Sequence, residues 1–159
     1  MTGPLDPPPG PYRIPFRVVD ATEDPLPAHR PPQIDCPPTS YSFVYSGLDV
    51  ETGETGRCNY LSVAQPSLYA MHPGDTLHLF VQHGRLLSIA AQPAQAHVAL
   101  LIGQSVLWEK TIAIPSEFQF YEETLRIDGD VPAGTPVYFH LHNHGDNAWL
   151  FSLLDLTTP

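Results

Sequence analysis

"TPVYFHLHNHGDNAWLFSLLDL", residues 135–156, sets the architecture of this chain. Successive side chains of an extended strand point to opposite faces. Val137, Phe139 and Leu141 therefore share one face, and Tyr138, His140 and His142 share the other. The apolar set belongs to a core, which leaves the two histidines facing solvent or lining a concave sheet surface. Asn143, Gly145, Asp146 and Asn147 are turn formers, so the strand bends there and "AWLFSLLDL" returns as a second strand.

The same texture extends back to residue 41. "TLHLFVQHG" alternates Leu77, Leu79 and Val81 with His78, Phe80 and Gln82, after the turn "HPGD" at 72–75. "HVALLI" is apolar throughout, "SVLWEKTIAI" stops at Pro115, and "EFQFYEETLRI" stops at Asp128-Gly129. "YSFVYS" runs into "GLDVETGETG", which reads as an acidic, glycine-rich loop. Helical periodicity is never sustained. About eight short strands separated by turn signals predict an all-β protein, an antiparallel sandwich or jelly roll over residues 41–159.

Twelve of the 19 prolines fall in the first 40 residues. Proline has no amide proton and a fixed φ, so residues 1–40 can form neither helix nor central strand. They read as an extended, partly polyproline arm, with "YRIPFRVVD" (12–20) as a possible edge strand. The arm has too few regularly spaced apolar residues to fold alone. Another subunit is its expected holder, which makes it an attachment device and predicts a homo-oligomer or a larger assembly.

The formal charge of -10 repels phosphate backbones and anionic lipid alike, so neither a nucleic acid nor a membrane surface is an expected partner. No apolar run approaches the length of a membrane span, so membrane insertion is not expected. "MTGPLDPPPG" has neither a basic start nor an apolar stretch, so synthesis in the cytoplasm without a secretory signal is the expectation. Cys36 and Cys58 are then expected as free thiols. A disulfide tying the tail to the domain is the alternative, and a two-cysteine zinc site would need histidines that the sequence cannot place.

The polar run "NHGDN" lies where the last two strands meet and reads as a recognition tip. Its candidate ligand-binding residues are Asn143, His144, Asp146 and Asn147, with Trp149 and His83. Amides and a carboxylate there can meet sugar hydroxyls or calcium, and Trp149 can stack on a sugar or anchor the core. His140 and His142, two apart on one strand face, form the weaker alternative of a transition-metal centre, with His78 or His83 as possible third ligands. No nucleophile elbow or phosphate loop occurs, and Glu122 and Glu123 point to opposite faces, so no enzymatic activity is expected.

From about residue 71 to 156 the order of segments resembles the PA-IL-like galactophilic lectins. The matching pieces are "HPGDTLHLFVQHG", "AHVALLIGQS" and "VPAGTPVYFHLHN…DNAWLFSLLDL". The resemblance implies a small sandwich that binds carbohydrate, cell-surface polysaccharide included. It implies calcium as the one possible cofactor, at positions matching His83, His144 and Asp146-Asn147, where His144 takes the place of an aspartate. An anchoring arm before an outward-facing sandwich also resembles, in architecture, the head-spike and decoration proteins of tailed phages and gene transfer agents. That resemblance implies a structural protein on the surface of a virion or similar particle, with residues 1–40 bound to neighbouring subunits. A free-standing lectin is the alternative.

Overall fold

The computed structural model describes residues 16–44, 49–52, 57–67, 69–88, 94–144 and 147–158. Ten strands among them form two five-stranded antiparallel sheets. The first runs β1 (Arg17–Val18), β4 (Tyr60–Pro66), β9 (Pro136–His142), β6 (Ala94–Ile102), β7 (Ser105–Ile114). The second runs β2 (Tyr41–Val44), β3 (Asp49–Thr52), β10 (Trp149–Thr157), β5 (Thr76–His83), β8 (Gln119–Arg126). The chain passes from sheet to sheet at nearly every connection after β4, so the expected antiparallel sandwich is present. Two strands exceed the expected set. β1 is the short edge strand foreseen at "YRIPFRVVD", whereas β3 lies inside the segment read as an acidic loop.

The alternation in the sequence places the core. Leu77, Leu79 and Val81 of β5 face inward and are fully buried, as are Val137, Phe139 and Leu141 of β9. Phe139 meets Phe151 of β10 with ring centroids 5.2 Å apart, which joins the sheets at their middle. Each such large side chain contributes about 1.5–3 kcal/mol on burial. The turn before β5 is built as "HPGD" suggests. Gly74 takes φ 101°, a left-handed angle that suits glycine, and the Asp75 carboxylate accepts the His72 N–H at 2.8 Å.

β4, β6 and β9 do not alternate, because both of their faces are covered. Their inner face packs on the second sheet. Across their outer face lies the N-terminal segment from residue 16 to about 30. Phe16 enters the inner core against Phe139, while Val19 joins Ala64, Ala99, Leu101 and Tyr138 in a second apolar cluster outside. Val19 N–H donates to Ser62 C=O at 2.9 Å, and Arg17 and Val18 pair with Ala64 and Val63. Asp24 is buried, accepting hydrogen bonds from Tyr60 Oη, Arg30 and the Leu26 N–H. Of the expected 1–40 arm, residues 1–15 lie outside the described residues, and residues 16–40 lie against the chain's own sandwich.

The expected free thiols are corrected. Cys36 and Cys58 form a disulfide that closes the far end of this segment onto the start of β4. Asn59 fastens the same place by accepting the Asp35 N–H and donating to Gln33 C=O.

Candidate functional site

Of the residues expected at a recognition tip, Asn143, Asn147, Trp149 and His83 lie inside the protein. Asn143 and Asn147 are buried and hold the chain in place. Asn147 Oδ1 accepts the Leu87 N–H at 2.8 Å, and its Nδ2 donates to Leu87 C=O, His144 C=O and Asn143 Oδ1. Asn143 Nδ2 donates to Cys58 C=O, and its N–H to Asn59 C=O. Trp149 is in the core and packs on His83, ring centroids 4.9 Å apart. His83 is also buried, with Nδ1 2.7 Å from Gly84 C=O, and burial holds its pKa below the ordinary histidine value. Only His144 of this set is exposed, and Asp146 lies outside the described residues.

These residues do not fit the calcium site that the lectin resemblance implies. Calcium takes six to eight oxygen ligands. His144 offers a ring nitrogen in place of an aspartate's carboxylate, and the Asn147 amide is engaged on the Leu87 backbone.

The histidine face of β9 is covered rather than open, a second correction. Register places three rows across the outer face of the first sheet: Tyr60, His142 and His97; Ser62, His140 and Ala99; Ala64, Tyr138 and Leu101. His140 sits in the middle, flanked by two small residues and roofed by the N-terminal segment, and is 0% exposed. His29, on a 3-10 turn of that segment, stacks on His97 with centroids 3.9 Å apart and meets His140 edge-on at 5.3 Å. His29, His97 and His140 each offer a ring nitrogen, all within 4.8 Å of one another. His78 and His83, the third ligands weighed from sequence, belong to the other sheet.

Burial, then repulsion from His97 and His29, pushes the His140 pKa down to about 3. Burial and the neighbouring His144 push His142 down to about 4. Both imidazoles are therefore neutral near pH 7. Burial alone would push the Asp24 carboxyl up, but the bonds from Tyr60, Leu26 and Arg30 outweigh it and hold it below the usual range. His142 and His144 turn toward a cavity of about 560 Å³ that His29, His97 and Thr111 also line.

The second sheet offers a different surface. On β5 the outward positions are His78, Phe80 and Gln82, and β8 sets Thr124, Glu122 and Phe120 opposite them. Phe80 and Phe120 are diagonal neighbours whose rings stack with centroids 6.1 Å apart and planes 21° apart. Phe120 is 59% exposed. His78 Nε2 lies 2.9 Å from Glu122 Oε1 beside the pair, and Gln82 lies across from Phe120. The alternation of "TLHLFVQHG" and "EFQFYEE" already assigns these residues to the solvent face. The signal sequence reasoning passed over is an aromatic at an outward position on each of two strands.

No protein-family model and no curated protein matches the chain. Several solved structures are similar to it in outline. TmCBM61 in complex with β-1,4-galactotriose is 7% identical, with TM-score 0.48 over 95% of both chains. The K3 cleaved adhesin domain of Lys-gingipain from Porphyromonas gingivalis is 17% identical, with TM-score 0.46 over 90% of this chain and 91% of that one. A family 16 carbohydrate binding module is 10% identical, with TM-score 0.38 over 73% of this chain and 81% of that one.

Proposed function

We propose that this chain is a carbohydrate-binding β-sandwich whose ligand lies across the outer face of the second sheet, on Phe80 and Phe120. The observation that carries this reading is the stacked phenylalanine pair on the outer face, Phe120 exposed and Phe80 half-buried, bordered by hydrogen-bonding side chains. The face of an aromatic ring is electron-rich and attracts the polarised C–H groups of a pyranose, whose own flat face is apolar. His78, Glu122 and Gln82 supply donors and acceptors for the hydroxyls at its rim. The net charge of -10 favours a neutral glycan over an acidic one.

A glycan array on the full chain identifies a ligand, and calorimetry with that glycan measures its affinity. The double variant Phe80→Ala/Phe120→Ala should lose about tenfold or more in affinity, with its unfolding midpoint little changed. Binding equal to the parent's would sink this reading.

The finer role, a surface subunit of a virion-like particle that holds cell-surface polysaccharide, draws on the proline-rich N-terminus. Arg17, Val18, Val19 and Leu26 are engaged by the chain's own first sheet, and Cys36 is bonded to Cys58. An anchor to other subunits would therefore fall within residues 1–15.

A further inference from the structure

We propose that His29, His97 and His140 form a binding site for a divalent transition metal, zinc fitting it best, which pins the N-terminal segment to the first sheet. The geometry carries this. Three imidazoles from three separate parts of the chain converge, each with a ring nitrogen within 4.8 Å of the other two. Tetrahedral zinc with bonds of about 2.0–2.1 Å needs ligand atoms roughly 3.3 Å apart. His29 rides on a short exposed turn and can supply that closure, while His97 and His140 are fixed on adjacent strands.

Two further features point to a ligand. His97 Nε2 donates to Glu109 Oε2 at 3.0 Å, which fixes the tautomer and leaves the Nδ1 lone pair facing the interior. A carboxylate behind a ligating histidine is a recurrent support of zinc sites. His97 Nδ1 and both ring nitrogens of His140 are buried, with no hydrogen-bond partner among the described residues. Leaving buried polar groups without a partner is costly, and a metal satisfies one lone pair on each ring.

Three neutral nitrogen donors suit zinc better than the hard cations magnesium or calcium. They also leave a fourth position for water or an outside ligand. His29 and His97 line the cavity beside the site, which provides an entry path, and His142 and His144 stand along it.

The test uses the full chain, stripped with EDTA and titrated with zinc chloride. The expected result is one zinc per chain by elemental analysis. Cobalt in its place should give the intense visible bands of a tetrahedral centre. His29→Ala and His97→Ala should each weaken zinc binding at least 100-fold, and Glu109→Gln about tenfold. His29 is only half-buried, so the unfolding midpoint of the metal-free His29→Ala variant should stay near the parent's and separate site loss from misfolding. Zinc should raise the parent's midpoint but not that variant's. The proposal is overturned by substoichiometric zinc, by His29→Ala and His97→Ala binding like the parent, or by a loss that His72→Ala/His78→Ala reproduces.

Discussion

Asn147 shows how one side chain can be legible in kind and not in direction. The sequence marks it as part of a polar turn, where such residues commonly project outward. Its amide instead satisfies both backbone groups of Leu87, 60 residues away. Nothing in a local pattern records a partner so distant. Asn147→Ala removes the acceptor of a part-buried N–H, so it should destabilise the protein by about 1–3 kcal/mol. Urea unfolding should show a lower midpoint at an unchanged slope. A midpoint equal to the parent's would return Asn147 to the surface role expected of it. Trp149 and His83 teach the same lesson: both types serve as ligand contacts or as core, and only the packing of β5 on β10 decides between them.

Strands were the most legible elements. Period-two patterns placed β5 and β9 and put Val137, Phe139 and Leu141 in the core. The covering of β9's other face was not legible, because Phe16, Val19 and Leu26 are too sparsely spaced to form a pattern. One indirect signal existed: "HVALLI" on β6 has no polar alternation, as a strand covered on both faces should not. The cysteine pairing is not legible for a related reason, since a residue pair 22 apart in sequence carries no spacing code. The bridge constrains the unfolded chain and seats the segment, so Cys36→Ser/Cys58→Ser should cost about 2–4 kcal/mol. Limited proteolysis of that variant should cut first within residues 16–40. Equal stability, or first cleavage elsewhere, would mean that β1, Val19 and the Asp24 cluster hold the segment unaided.

The sandwich as a whole buries histidine in its neutral form, and this gives it a defined response to acid. Burial lowers the His83 pKa below 6.5, outweighing the bond to Gly84 C=O, which raises it. Below the unfolded value the unfolded chain binds a proton that the folded one refuses. Stability is therefore complete above about pH 6.5 and falls as pH drops from there toward the folded pKa, by at most about 1.4 kcal/mol per unit for one group. Urea unfolding in EDTA should give a lower midpoint at pH 5 than at pH 7.5, and His83→Gln should reduce that difference. A difference unchanged in His83→Gln would show that the ring takes its proton without cost. Asp24 adds a loss of the same sign at lower pH, because its folded pKa is also depressed.

The bridge between Cys36 and Cys58 also decides how the molecule answers a mechanical load applied at its N-terminal end. Tension there would shear β1 from β4 and peel away the roof over His140. The slack released stops at Cys36, about 70 Å of chain at roughly 3.5 Å per residue. Beyond that point the force reaches the start of β4, which pairs with β9 in the first sheet, through a covalent link. A tethered copy would therefore lengthen and uncover its histidines while the phenylalanine face of the opposite sheet kept its shape.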